Sequence, residues 1–133
     1  MEGKMLSPHF SRDECACRDG CGFDTPDGAL PELAEAVRDI LKEPMIVHSV
    51  CRCRAHNAAV GGSPTSKHLK GQAMDFHVRG LSPVAVYNAI VKAWHDGRLP
   101  GLGGVGLYDW GVHIDVHRAT DGHLRVWDLR KRR

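Results

Sequence analysis

The stretch SPTSKHLKGQAMDFHV, residues 63–78, carries two side chains that can bind a metal, His68 and Asp75, with Gly71 between them. Its last part, QAMDFHV, alternates polar with apolar residues, which is the pattern of a β-strand with one buried face. The pattern predicts a sheet with Asp75 on its polar face. The loop around Gly71 is expected to bring His68 toward the same face.

A second stretch, GVHIDVH (111–117), also alternates and places His113, Asp115 and His117 on one face of a strand. If the two strands are neighbours, His113 meets the aspartate of the first stretch. Two histidines and one carboxylate leave a tetrahedral zinc ion one open position for water, which is typical of catalytic zinc. An exposed polar sheet face without chemistry gives the same alternation, so the spacing alone leaves both interpretations open.

The composition is that of a folded, water-exposed domain. With 133 residues, of which 42% are hydrophobic and 26% charged, the chain is expected to form a single domain over 1–133. No apolar run approaches the roughly 20 residues that span a bilayer, so membrane insertion is not expected. A net charge of +2 is too small to imply nucleic acid binding. The N-terminus lacks the apolar core of a secretory signal, which predicts a cytoplasmic location when the chain is made.

Helical and strand patterns follow one another along the chain. Apolar residues recur at helical spacing in 30–43 and in 82–97, which predicts two amphipathic helices, the second capped by Ser82. The other predicted elements are a strand at 44–50, a helical turn within 54–66, a hairpin formed by 103–110 and 111–117, and an edge strand within 123–130. This set predicts a small α+β fold, with an antiparallel sheet and flanking helices.

The two ends of the chain differ in composition from the middle. Residues 1–29 are dense in Gly, Pro, Asp and Cys, which predicts an irregular segment. Residues 125–133 hold five of the 18 Lys and Arg residues, which predicts a solvated basic tail or, alternatively, a segment attracted to an anionic polymer.

The five cysteines are Cys15, Cys17, Cys21, Cys51 and Cys53. They leave three interpretations open: free thiols, disulfides joining the N-terminal segment to residues 51–53, or a second metal.

The segment SKHLKGQAMD (66–75) fits the pattern S-x-H-x-x-G-x-A-x-D, and VHID follows it later in the chain. Together they resemble the D-Ala-D-Ala carboxypeptidase family of zinc peptidases, in a branch similar to murein endopeptidases and phage peptidoglycan lysins. FSRDECAC, VRDIL and SVCRCRAHNAAVGG resemble the same branch, so the likeness extends over roughly 8–117. The resemblance implies the fold shared by hedgehog domains and these peptidases.

The resemblance also implies roles for particular residues. It implies one catalytic zinc ion bound by His68, Asp75 and His113. Arg52 matches an arginine that holds the substrate carboxylate or polarises the scissile carbonyl, and a fork of donors suits both tasks. Ser66 matches the serine of the motif, which shapes the loop or contacts substrate.

The general base is less clear from the resemblance. Many members carry a Glu three residues before the last zinc ligand or a His two before it, but Trp110 and Gly111 occupy those positions here. The branch similar to this chain resembles it in an H-x-D arrangement, matched by His113 and Asp115, which makes Asp115 the candidate base, with His117 behind it. The alternative for Asp115 is to orient the zinc-bound histidine.

The function implied by the resemblance is zinc-dependent hydrolysis of amide bonds in peptidoglycan stem peptides or cross-links. A phage or prophage lysin, or a bacterial murein endopeptidase, is expected, made in the cytoplasm and acting on the wall after release as a monomer. Which bond is cut stays open. The alternative is a non-catalytic, zinc-stabilised binding module, because hedgehog domains resemble this family and bind partners.

Overall fold

The computed structural model describes residues 4–131. Within this range the strands are β1 (Met5–Ser7), β2 (Phe10–Ser11), β3 (Met45–Ser49), β4 (Ala73–Val78), β5 (Gly104–Leu107), β6 (Val112–Asp115) and β7 (Arg125–Asp128). The helices are α1 (Arg12–Cys15), α2 (Ala29–Leu41), α3 (Arg54–Ala59) and α4 (Pro83–His95), with a 3₁₀ helix at Lys67–Lys70. None of the helices in this range is long and apolar enough to cross a membrane.

Five strands form the main sheet, in the order β3-β4-β6-β5-β7. The pairs β3–β4, β4–β6 and β5–β6 are antiparallel, which confirms the α+β fold with an antiparallel sheet and flanking helices. The edge strand β7 is the exception, because it pairs parallel to β5. After β6 the chain reverses direction and returns on the far side of β5. It therefore runs opposite to β6 and in the same direction as β5.

Two helices and one face of the main sheet share the apolar core. α4 contacts β4, β5 and β6, and α2 packs against α4. Alternate strand positions are fully buried in this core, namely Met74, Phe76, Val105, Val112 and Ile114. Because side chains alternate along a strand, the positions between these residues face the other side of the sheet. The polar side chains of β4 and β6 are thus directed away from the helices.

The ends of the predicted helices are set by local signals. The Ser82 hydroxyl accepts a hydrogen bond from the Ala85 N–H at 3.1 Å, and proline occupies the first helical position, so α4 begins close to the predicted point. α2 ends one residue before Lys42, which adopts a left-handed conformation with φ of 59°. The strand predicted at 44–50 is observed as β3, shorter by one residue at each end.

The N-terminal segment is more regular than the sequence predicted for 1–29. Residues 5–15 form the hairpin β1–β2 and the single turn of α1. The Ser11 hydroxyl accepts from the Glu14 N–H at 3.1 Å, and the Glu14 carboxylate accepts from the Ser11 N–H at 2.9 Å, which is a capping box. These elements are two to four residues long, too short for a periodic pattern to reveal them. Residues 1–3, and 132–133 of the predicted basic tail, lie outside the described range.

Candidate metal centre

The pairing of β4 with β6 brings the first two metal-binding side chains together. In the antiparallel register Asp75 lies directly opposite His113. The Nδ1 atom of His113 lies 3.0 Å from Oδ1 of Asp75. The strand alternation that the sequence showed therefore places both groups on the same face of the sheet.

His68 reaches the same point from the 3₁₀ helix. The Ser66 hydroxyl accepts from the His68 N–H at 3.2 Å and so caps this helix, and Gly71 ends it with a φ of 65°. The Nδ1 atom of His68 lies 2.8 Å from the Val50 carbonyl oxygen, which accepts its proton. Nε2 is then the unprotonated nitrogen, 3.1 Å from Oδ2 of Asp75. This buried Nε2 has no hydrogen-bond partner among residues 4–131, as expected of a nitrogen whose lone pair binds a metal.

Asp115 fixes the tautomer of His113. Its Oδ2 lies 2.8 Å from Nε2 of His113 and accepts the proton of that nitrogen, which leaves Nδ1 free to bind a metal. Burial acts to lower the pKa of His113, but the carboxylates of Asp115 and Asp75 beside the ring outweigh burial and raise the pKa. Asp115 thus orients the imidazole of His113 so that its Nδ1 atom faces the predicted metal position.

The donor set fits zinc. The ligand atoms of His68, Asp75 and His113 all lie within 4.8 Å of one another, and all three residues are buried. Burial acts to raise the pKa of Asp75, but the neighbouring imidazoles of His113 and His68 prevail and hold the pKa below its usual range. An ionised carboxylate and two imidazole nitrogens with available lone pairs match a catalytic zinc site with three protein ligands.

The two residues proposed for proton transfer lie in different surroundings. Asp115 is completely buried, and its Oδ1 accepts from Nη2 of Arg125 at 2.5 Å and from the His117 N–H at 3.1 Å. Because Oδ2 accepts a hydrogen bond from His113, both oxygens of Asp115 have partners. His117 lies beyond the end of β6 and is exposed, so it is not part of the strand face that the sequence predicted. Both residues nevertheless line the same cavity.

Arg52 lies against the metal-binding carboxylate. Its Nη2 donates to Oδ2 of Asp75 at 3.1 Å, its Nε donates to the Ser49 hydroxyl at 3.0 Å, and its Nη1 donates to Oδ1 of Asn57 at 3.3 Å. Gly62 permits this arrangement, because a Cβ atom there would lie 2.1 Å from the Asn57 amide oxygen and 3.0 Å from the guanidinium. Three donors of the guanidinium are therefore used to hold Arg52 at the edge of the site.

The cluster opens into a cavity of about 680 Å³. Among the side chains that line it without having been assigned to the site by the sequence analysis are Tyr108, Trp110, Arg125 and Trp127. Arg125 was placed in the solvated tail, yet it pairs with buried Asp115 from strand β7. Burial raises the pKa of Tyr108 to about 12, so its phenol stays protonated near neutral pH. The alternation of RVWD, with Arg125 and Trp127 on one face, is the sequence signal that could have indicated the contribution of β7 to the site.

A buried set of two histidines and one carboxylate, open to a cavity, is the arrangement typical of a metal-dependent hydrolase with a catalytic zinc ion. The family profile described as Peptidase M15 matches residues 8–115. The chain therefore belongs to the M15 peptidases, which are zinc-dependent metallopeptidases. No curated protein matches the chain at a significant level.

Proposed function

We propose that this protein hydrolyses amide bonds in peptidoglycan stem peptides or their cross-links, as a phage-type or prophage-type lysin or as a murein endopeptidase. The observation that carries the proposal is the buried set of His68, Asp75 and His113, with the lone pair of His68 Nε2 unused, at the base of an open cavity. A zinc ion bound there would supply a Lewis acid that polarises the scissile carbonyl and acidifies water.

The charge of the cavity suits a peptide rich in carboxylates. Arg52, Lys67 and Arg125 all contribute to its lining, where Arg52 pairs with Asp75 and Arg125 with Asp115. Stem peptides carry free carboxylates, which arginine forks and ammonium groups bind well. The proposed substrate class rests on this complementarity together with the family, and the choice among the bonds of a stem peptide depends on the shape of the cavity.

Arg52 is the residue we assign to substrate binding. A guanidinium has five N–H donors, and three of them are used by the neighbouring side chains. The two that remain are available to a substrate carboxylate or to the oxygen of the scissile carbonyl. Ser66 also lines the cavity, but its hydroxyl caps the 3₁₀ helix, so we assign it to positioning His68.

We assign proton transfer to His117 and orientation of His113 to Asp115. The sequence favoured Asp115 as the base, but both of its oxygens accept hydrogen bonds in the folded protein. His117 is exposed at the cavity, and its pKa is lowered, chiefly by the positive charge of Lys67. A neutral imidazole at this place takes a proton during attack and returns it to the leaving amine.

The proposal also includes the route of the protein to its substrate. A lysin is made in the cytoplasm, reaches the wall after release, and acts as a monomer on an insoluble polymer. Size-exclusion chromatography tests the last point, and a stable dimer at the concentrations used for assay would contradict it.

The test is loss of turbidity of purified wall preparations, measured with metal-loaded protein, after chelation, and after zinc is restored. We expect the metal-loaded protein to clear the suspension, the chelated protein to leave it turbid, and restored zinc to bring clearing back. His113→Ala should not clear it under any of these conditions. Mass spectrometry of fragments from defined muropeptides then identifies the bond that is cut. Stoichiometric zinc binding without any cleavage of wall or muropeptides would overturn the proposal and would support the non-catalytic binding module.

A further inference from the structure

Four side chains converge at a second place, remote in sequence from the catalytic ligands. We call Cys17, Asp19, Cys21 and Cys53 the cysteine cluster. Their three sulfurs and one carboxylate oxygen all lie within 4.8 Å of one another. The Cys17 thiol lies 3.1 Å from Oδ1 of Asp19, and the Cys53 thiol lies 2.9 Å from its Oδ2.

A tight loop presents three of these groups on one side. The Cys21 N–H donates to Oδ1 of Asp19 at 2.9 Å, and the Cys17 N–H donates to the Phe23 carbonyl at 2.8 Å, which closes the loop. Gly20 adopts a φ of 75° within the loop. The C-x-D-x-C spacing differs from the common C-x2-C of zinc sites, but the turn brings the side chains together.

Backbone N–H groups already point at two of the sulfurs. The Cys53 N–H donates to Sγ of Cys17 at 3.4 Å, and the His56 N–H donates to Sγ of Cys53 at 3.4 Å. Hydrogen bonds of this kind stabilise sulfur in its anionic, metal-binding form. One of these bonds joins two members of the cluster and the other caps α3, and both place an N–H donor where a thiolate ligand would accept it.

The other two cysteines lie in a different environment. Cys15 and Cys51 each expose only 1% of their surface and belong to the apolar core. Buried cysteines of this type pack as small apolar side chains. The odd total of five is thereby divided into three cysteines that converge on Asp19 and two that fill the core.

We propose that the cysteine cluster binds a second zinc ion through three thiolates and the Asp19 carboxylate, in a closed structural site. Each thiol that binds releases its proton to solvent. In a tetrahedral site with bonds of about 2.3 Å to sulfur, sulfur ligands lie roughly 3.8 Å apart. The widest pairs, within 4.8 Å, would close by up to about 1 Å, and the two contacts between sulfur and the Asp19 carboxylate, at 2.9 and 3.1 Å, would open by less than about 1 Å.

Such an ion ties the N-terminal loop to the chain beside the catalytic centre. Cys53 directly follows Arg52, and the Arg52 N–H donates to the carbonyl oxygen of His68 at 3.1 Å. The ion therefore fixes the backbone on which the substrate-binding guanidinium is mounted. Its role is to position Arg52, and it has no contact with the reacting bond.

Metal analysis and cobalt spectroscopy of the purified full chain test the proposal. We expect two zinc ions per chain in the wild type and one each in His113→Ala, Cys21→Ser and Cys53→Ser. Because the catalytic ligands include no sulfur, Co²⁺ in wild-type protein should give a near-ultraviolet thiolate charge-transfer band only through the cysteine cluster. The band should persist in His113→Ala, disappear in Cys21→Ser, and persist in the control Cys15→Ala.

Two results would overturn the proposal. One is a single zinc ion in the wild type together with no thiolate band when Co²⁺ is added, a result that involves no variant and so no failure to fold. The other is resistance of two cluster cysteines to alkylation until the protein is reduced, which would identify a disulfide. Neither result affects the ion bound by His68, Asp75 and His113, so the proposed function is tested separately.

Discussion

At the scale of single residues, the site depends on which nitrogen of each histidine carries the proton. The Val50 carbonyl takes the proton of Nδ1 in His68, and Asp115 takes the proton of Nε2 in His113. The two histidines therefore offer different nitrogens to the metal. The sequence predicted both histidines as ligands but not this choice, because a backbone carbonyl and a neighbouring strand residue make it, and only the fold positions them.

Removal of a ligand should remove the catalytic ion. We expect His68→Ala and His113→Ala each to lose one zinc ion per chain, measured by metal analysis. Both variants should also lose all detectable hydrolysis of wall peptides, because two protein ligands are too few to hold the ion. His123→Ala, at an exposed histidine, is the matched control and should retain both. Full zinc occupancy in His113→Ala would show that the ligand set is wrong.

Asp115 and His117 should respond to substitution in different ways. Asp115→Asn should weaken zinc affinity about 10- to 100-fold, because an uncharged amide has one acceptor oxygen where the carboxylate has two, which accept from His113 and Arg125. His117→Gln should keep zinc affinity and lower kcat by about 10²-fold or more, as expected when a proton-transfer group is removed. Zinc titration and steady-state kinetics of both variants check this. The reverse pattern would make Asp115 the base.

Replacement of Arg52 tests the role of its planar fork. Arg52→Lys keeps the charge but loses the paired donors, so kcat/KM should fall about 10²-fold while zinc content is unchanged. Arg54→Lys, two residues away and exposed, should behave as the wild type. An unchanged rate in Arg52→Lys would mean that the guanidinium serves only to hold Asp75.

At the scale of elements, alternation predicted β4 and β6 well because each strand has one apolar and one polar face. The same reasoning did not assign Arg125 to the site, since its partner Asp115 lies two strands away in the sheet, across β5. β5 carries no side chain at the positions between them. Gly104 is paired with Asp115 and Gly106 with His113, so larger groups from β6 and β7 lie over the strand. The alternation of RVWD indicates which face of β7 carries Arg125, but no local pattern shows that this face meets Asp115 across two glycine positions of β5.

A methyl group on β5 should therefore disturb the site. A Cβ atom at Gly106 would lie 2.3 Å from the indole nitrogen of Trp127, whose ring centroid is 4.9 Å from that of His113. We expect Gly106→Ala to cost about 1–3 kcal/mol in the free energy of unfolding, measured by denaturant titration, and to reduce activity. Gly101→Ala, where a Cβ atom meets nothing within 4 Å, is the control. Equal stability of the two variants would contradict the packing argument.

At the scale of the whole molecule, the N-terminal segment is joined to the core at several places. Two of them are the cysteine cluster and Glu35 on α2. The Glu35 carboxylate accepts from the Ser7 hydroxyl at 2.5 Å and from the His9 N–H at 2.7 Å. Burial acts to raise the pKa of Glu35, but these hydrogen bonds prevail and lower it.

The lowered pKa gives the Glu35 contact a defined pH dependence. Its contribution is fully present above the unfolded-state pKa of about 4.3, and it is lost as the pH falls through the lower folded-state value. We expect Glu35→Ala to lose about 2 kcal/mol in the free energy of unfolding at pH 7, and less below pH of about 4. Urea titration across this range checks it, with exposed Glu32→Ala as the control. A difference that grows on acidification would contradict the assignment.

The register that sets Asp75 opposite His113 also has a consequence for how the chain reaches its native state. A slip of one residue between β4 and β6 turns the side chains of the slipped strand to the opposite face. In an intermediate with the wrong register, His68, Asp75 and His113 do not meet and cannot bind zinc. The native pairing gains the full free energy of zinc binding. Zinc present during refolding therefore selects for the correct register. The yield of native protein should be higher when the metal is added before folding than when it is added afterwards.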